Sequence, residues 1–199
     1  MKRNFINEIK KIALEYDWKI AFGGKSYGNK HLFRVVKIAK ELAKIYKADI
    51  DVVTISAWLH DIGLAKDIKN HEKEGAKLAR EILRRLGFDE TFIEKVAHCI
   101  EAHEGKIKPK TLEAKIVHDA DVLDKCGPLG IIRHTWKLSQ QGLPVEKIIT
   151  EVEKELKRRE KLLQLPISKK IAKKLNSQVA NFFKIAKKQL RGLKIADFI

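Results

Sequence analysis

The run "VVTISAWL" at 52–59 limits the fold more than any other stretch of this chain. It is apolar on every side of a helix, so a helix built from it has to be enclosed by other elements. It is also far short of the roughly 20 residues needed to cross a bilayer. A chain holding such a segment needs amphipathic partners around it. The run ends on a pair that an apolar interior does not accept without compensation, His60 and Asp61, followed by Ile62 and Gly63. Two readings are open. Either a helix ends there, with Asp61 in a turn and Gly63 as its stop, or the pair are ligands of a metal ion. Partners elsewhere in the chain have to decide.

The enclosing helices are legible from their period. Between Asn29, a plausible N-cap, and Lys47, apolar residues fall at 32, 35, 36, 39, 42, 43 and 46, the spacing of one helical face. From Asn70, again a possible cap, Leu78, Ala79, Ile82, Leu83 and Leu86 form a stripe that Gly87 terminates. From Asp89 to His103, the stripe is Phe92, Ile93, Val96, Ala97 and Ile100. Pro109 and Thr111 open a helix that runs to about Lys125, and "GPLG" at 127–130 breaks the chain. Two or three further helices are expected beyond it, with Pro144 and Pro166 near their starts. No strand-like alternation is present, so the expected fold is all-α.

With 199 residues, 44% of them hydrophobic, one globular domain is expected, since the length suffices for a real core. No internal repeat or Pro/Ser/Gly-rich linker divides it. At the N-terminus, Phe5, Ile6, Ile9, Ile12 and Ala13 recur at helical spacing, which predicts an amphipathic helix and not a signal peptide. Cys99 and Cys126 form no CxxC pair. With no export signal, they point to a reducing cytoplasm, and no membrane segment is expected. The net charge of +16 favours anionic partners such as nucleotides or nucleic acid. A solvated surface rich in Lys and Glu, of the kind thermophiles use, explains the same number.

Seven histidines are candidates for chemistry: 31, 60, 71, 98, 103, 118 and 134. On the helix from 89 to 103, His98 shares the wet face with Glu94 and Glu101, whereas His103 continues the apolar stripe inward. His31 and Arg34 lie one turn apart near a helix start, which reads either as an anion cradle or as a capped surface turn. His71 stands in a first helical turn, four residues before Gly75. A glycine inside a helix costs about 1 kcal/mol relative to alanine, so Gly75 signals close approach of a ligand or another helix. "HDADVLD" at 118–124 brings His118, Asp119, Asp121 and Asp124 together. Asp119 and Asp121 point about 200° apart on a helix, so both do not easily reach one ion, and some of these carboxylates are expected to be exposed. "GGKS" at 23–26 lacks the first glycine of a phosphate-binding loop, because position 19 is Lys19.

His31, then His60–Asp61, then Asp121 in that order resembles the HD-domain metal-dependent phosphohydrolases. "HLFRVVKIA", "AWLHDIG", His71 with Gly75 and Ala76, Ile100 with His103, "HDADVLDKCGPLGIIRH" and "REKLLQLP" are similar to an uncharacterised bacterial and archaeal subfamily, over roughly residues 20–190. The resemblance implies an HD-like helical bundle with its core over about 25–140 and C-terminal helices over about 144–192 packed on it. It implies four metal ligands: His31, His60, Asp61 and Asp121. His71 and His103 match positions that hold a second metal or a substrate phosphate in some of these proteins. The implied ligand types suit Mn, Fe, Co, Ni or Zn, in one or two ions, with Mg a further option. The implied reaction is attack of metal-activated water on a phosphate ester or anhydride of a nucleotide or similar small metabolite. Asp61 would hold or deprotonate the water, and Arg34, Lys125, Arg133 and His134 would contact substrate. HD proteins that cleave cyclic dinucleotides carry a downstream G-Y-P stretch, where this chain has "HEGKIKP". The alternative expectation is a non-catalytic protein of the same fold that binds nucleic acid through its basic surface.

Overall fold

A computed structural model describes residues 2–192 and 195–197. Among them every regular element is helical. The helices are α1 (Lys2–Glu15), α2 (His31–Tyr46), α3 (Ile50–Leu59), α4 (His71–Arg85), α5 (Glu90–Glu101), α6 (Leu112–Asp124), α7 (Gly127–Gln140), α8 (Val145–Leu162), α9 (Pro166–Ser177) and α10 (Ala180–Leu190). No described helix is long and apolar enough to cross a membrane. Two compact units result, Met1–Asp121 and Val122–Ile199.

In the first unit, α3 is the central helix. Val52 through Leu59 are all buried, with α1, α2 and α5 packed around it. It begins two residues before the apolar run, because the Asp49 carboxylate accepts hydrogen bonds from the Asp51 and Val52 N–H groups and caps it. Asp89 caps α5 in the same way through Phe92, and Thr111 caps α6 through Ala114. Asn29 accepts a hydrogen bond from the His31 N–H at the start of α2. Asn70 stands at the α4 N-cap position but its side chain caps nothing. Asp67 binds the Lys69 and Asn70 N–H groups and the Asn70 amide instead. Between α1 and α2 the chain makes a π-turn (Tyr16–Ile20) and a 3₁₀ turn (Ala21–Gly24), which the periodicity does not announce. Phe22, Gly23 and Gly24 there have positive φ.

In the second unit, the stretch after Cys126 holds four described helices, one more than expected at most. "GPLG" is the first turn of α7, with Pro128 where proline needs no N–H partner. Pro144 and Pro166 stand at the starts of α8 and α9. The α7/α8/α10 core is Ile148, Val152, Leu156, Val179 and Phe183, with Ile131 and Leu138 against it.

Candidate metal centre

His60 ends the buried helix α3 and Asp61 follows it into the 3₁₀ turn Ile62–Ala65. There, α2, α4, α5 and α6 each deliver polar residues to the same place. His31 Nε2 lies 3.2 Å from Asp121 Oδ1 and 3.4 Å from Asp61 Oδ2. His60 Nε2 lies 3.3 Å from His31 Nε2, 3.3 Å from Asp61 Oδ2 and 3.6 Å from Asp121 Oδ1. The other oxygen of Asp61 faces a second pair: Oδ1 is 3.5 Å from His103 Nε2 and 3.8 Å from His71 Nε2. Asp61 thus stands between two groups of nitrogens, one oxygen to each. Its side chain keeps 12% of its surface exposed, whereas His60 is fully enclosed.

The rings are held from behind. His60 Nδ1 donates to the Ala57 carbonyl at 2.9 Å, His71 Nδ1 to Ile68 at 3.1 Å and His103 Nδ1 to Ile100 at 2.7 Å. A neutral imidazole carries one proton, so each of these Nε2 atoms presents a lone pair to the centre. Anchoring of the far nitrogen by a carbonyl is how proteins fix histidine ligands. Lone pairs and carboxylates gathered in a buried place repel one another unless a cation sits among them. In the ion-free chain the proton supplies part of that charge. Burial opposes a charge on His60, but Asp61 and Asp121 outweigh it and raise its pKa to about 10. Burial likewise disfavours the Asp61 carboxylate, yet His60 beside it, with hydrogen bonds from His103 and His31, holds its pKa well below the usual range. His71 is lowered, chiefly by burial. His31, His60 and Asp61, or His60, His103 and Asp121, or Asp61, His71 and His103, each offer ligand atoms close enough to share one ion. The cluster is able to hold a divalent metal.

The structure brings together His31, His60, Asp61, Asp121, His71 and His103. His31 is buried among carboxylates, so it is neither an anion cradle nor a surface turn. Arg34, one turn further along α2, is partly buried. The expectation of exposed carboxylates in "HDADVLD" is overturned: His118, Asp119, Asp121 and Asp124 are all buried, because α6 is enclosed on both faces. In the second unit, Lys125 and His134 are buried and Arg133 Nη1 lies 3.6 Å from Asp124 Oδ2. His98 is half-buried and its Nε2 accepts the Lys110 N–H.

Two contacts escaped the sequence reading. His118 Nδ1 donates to the His103 carbonyl at 2.6 Å and so ties α6 to the end of α5. Its signal was its place one turn before Asp121. Glu72, buried behind His71, takes Lys106 Nζ at 2.9 Å, and with His71 and Glu104 it forms a fourth group of potential ligands. Gly63 and Gly75 allow α4 to approach: a Cβ on Gly63 would lie 2.0 Å from the His71 carbonyl oxygen, and one on Gly75 would lie 3.2 Å from Ile100 Cγ2.

Residues 29–126 match the HD domain family. Among curated relatives, Ribonuclease Y of Acidothermus cellulolyticus is 38% identical over 103 residues, which are 49% of this chain and 20% of that protein. Ribonuclease Y of Chloroflexus aurantiacus is 35% identical over 118 residues, 57% of this chain and 22% of that protein. The chain therefore spans about a fifth of the length of these relatives. Among solved structures, an HD superfamily hydrolase from an uncultured Thermotogales bacterium has a TM-score of 0.65 at 27% identity, covering 92% of each chain. Bacillus subtilis YpgQ in complex with ADP has a TM-score of 0.76 at 20% identity, covering 96% of this chain and 97% of that one, and shows the shared fold.

Proposed function

Because residues 29–126 of this chain are an HD domain, we propose that it is a metal-dependent phosphohydrolase. Its substrate is a phosphate ester or anhydride of a nucleotide or similar small metabolite. The observation that carries this reading is the pair of Nε2 atoms, His31 and His60, set 3.3 Å apart against Asp61 and Asp121, with the His60 tautomer fixed by Ala57. The ADP bound by YpgQ, a protein of this fold, supports a nucleotide.

His31, His60, Asp61 and Asp121 would be the ligands, and mixed nitrogen and carboxylate donors favour Mn, Fe, Co, Ni or Zn over Mg. A divalent cation bound there supplies positive charge that polarises a phosphoryl oxygen and acidifies water. His71 and His103 take a second cation or a phosphoryl oxygen. Asp61 holds the attacking water and takes its proton. Arg34 is assigned to the substrate's phosphates; the same role for Lys125, Arg133 and His134 is what the resemblance implies, and they belong to the second unit. The attack runs in line on phosphorus, with the alcohol or phosphate leaving on the opposite side.

The test is purified protein loaded in turn with Mn²⁺, Co²⁺ and Ni²⁺, assayed on a broad panel of nucleotides and phosphate esters beside Asp61→Ala. Turnover that the variant lacks is the expected result. No turnover of any panel member with any metal overturns the proposal.

A further inference from the structure

The positive charge of this chain is not spread evenly. Residues 122–199 hold 18 of its 42 Lys and Arg but 7 of its 26 Asp and Glu, a net +11 of the total +16. The imbalance sharpens toward the end: from Lys161 through Ala196 there are ten Lys and Arg and no carboxylate. On two other helices several basic side chains have acidic partners. On α4, Arg80 pairs with Glu94 and Glu101, and Arg84 with Glu90. On α8, Lys157 pairs with Glu153 and Arg158 with Glu155. A Lys/Glu ion-pair surface accounts for those helices. It does not account for α9, which carries Lys169, Lys170, Lys173 and Lys174, all exposed, and no acid to pair them.

The four lysines span about 140° of the α9 surface at 100° per residue. They form two i,i+4 rows, Lys169–Lys173 and Lys170–Lys174, with about 6 Å between neighbours along the axis. Like charges at that spacing disfavour the helix. Ser168 and Ala172 are buried on its other side. On α10, Lys184 and Lys188 repeat the spacing, and Lys187 reaches back to Glu153 of α8. On another face of α10 stands Phe182, 49% exposed, at a cavity of about 170 Å³ lined by Ile131, Val145, Ile149 and Phe183.

We propose that the carboxylate-free helices α9 and α10 bind the backbone of a single-stranded polynucleotide. The exposed lysine rows of α9, on a helix with no acid, exchange condensed counterions for phosphates. A half-exposed phenylalanine gives an unstacked base a face to pack on, which a duplex does not need. An anionic membrane is the other partner of basic helices, but it requires a broad free apolar face. Here Val179, Phe183 and Ala186 are buried in the fold, and the apolar surface left on the two helices is Ile171, Phe182, Ile185 and Leu190, each 37–49% exposed, which the vesicle arm below tests. The proposal stands apart from the metal-centre reading, since none of its residues is assigned to that centre.

The test measures binding of a short labelled oligoribonucleotide to the full chain between about 50 and about 200 mM salt. Three variants run beside it: Lys169→Gln/Lys170→Gln/Lys173→Gln/Lys174→Gln, Phe182→Ala and Asp61→Ala. Vesicles containing phosphatidylserine form a parallel arm. The expected results are affinity that falls at least roughly tenfold across that range and a log–log salt slope about 3 smaller in the lysine variant, at 0.7 per phosphate. Phe182→Ala weakens binding without changing the slope. Asp61→Ala binds as the wild type does, so failure of the catalytic reading leaves this one intact. Glutamine keeps helix propensity, and an unchanged melting temperature verifies folding. No binding at about 50 mM salt, an unchanged slope in the lysine variant, or binding to vesicles but not to RNA overturns the proposal.

Discussion

His71 and His103 face each other across the centre with their Nε2 atoms 3.3 Å apart, though each gives its Nδ1 proton to a backbone carbonyl. Two lone pairs at that distance need a cation or a donor between them. Asp61 Oδ1 lies beside both. The first prediction is that a second metal position exists and that Asp61 bridges the two. Elemental analysis of fully loaded protein should give two equivalents for the wild type and one for His103→Ala. Asp61→Ala should weaken both positions by more than about 100-fold, since even residues behind a ligand are worth 10–100-fold. One equivalent in both the wild type and His103→Ala would remove the second position and leave His71 and His103 as phosphate contacts.

Metal loading should stabilise the fold. The carboxylates and imidazoles sit in a buried cluster whose mutual repulsion an ion relieves. At a free metal concentration about 100 times the dissociation constant, linkage gives about 2.7 kcal/mol. For a chain of 199 residues, that corresponds to roughly 5–10 °C in melting temperature. Calorimetry with saturating Mn²⁺ and then with chelator checks it, and Asp121→Ala should show little difference between the two conditions. An unchanged wild-type melting temperature would count against a metal in this cluster.

The candidate ligands came from the resemblance, carried by the order His31, His60–Asp61, Asp121; the residues alone left His60 and Asp61 open between a helix end and a metal pair. Helix existence was legible for the same reason that α2 and α5 fold: one stripe of each faces inward. What failed was reasoning by face. A helical wheel sets Asp119 and Asp121 about 200° apart, so some carboxylates of "HDADVLD" were expected to be exposed, yet Asp119, Asp121 and Asp124 are all buried. His118 was visible as a residue but not as a link, because its partner is the backbone carbonyl of His103 fifteen positions away. The capping role given to Asn70 is not filled by its side chain, because Asp67 accepts from the Asn70 amide and from the Lys69 and Asn70 N–H groups just ahead of α4. Close approach at Gly75 was inferred correctly; Gly63 was read as a helix stop, and its tighter contact depends on where α4 packs.

That contact gives a third prediction. Gly63→Ala places a methyl 2.0 Å from the His71 carbonyl oxygen and 2.5 Å from the Gly75 nitrogen, both backbone atoms that cannot rotate away. The first turn of α4 must shift and carry His71 with it. The expected cost is about 3 kcal/mol or more, the upper end of overpacking. Gly75→Ala meets Ile100 Cγ2 at 3.2 Å and the Gly63 nitrogen at 3.3 Å, a milder clash. Urea denaturation should rank Gly63→Ala well below both Gly75→Ala and wild type, since at Gly75 the gain in helix propensity offsets the milder contact. Equal stabilities for the two variants would show that α4 does not press on Gly63 as described.

The fourth prediction concerns pH. His134 is buried on α7, and burial together with the nearby Arg159 lowers its pKa to about 4 from an ordinary 6.5. The unfolded chain therefore binds a proton there between about pH 6.5 and pH 4 that the folded chain refuses. Above 6.5 both states are neutral and His134 contributes nothing to the pH dependence. As pH falls through that window, folding stability drops, by about 2 kcal/mol at pH 5 for this shift. Glu155, lowered to about 2, contributes stability that is lost only below its unfolded value of 4.5, outside the comparison of pH 7 with pH 5. His71 is lowered too and acts in the same direction as His134, so the informative quantity is the difference between wild type and His134→Gln. Urea unfolding of both at pH 7 and pH 5 should show the wild type losing about 2 kcal/mol more than the variant. If both lose the same amount, His134 takes up its proton in the folded state as readily as in the unfolded one, and the cationic surroundings described for it are wrong.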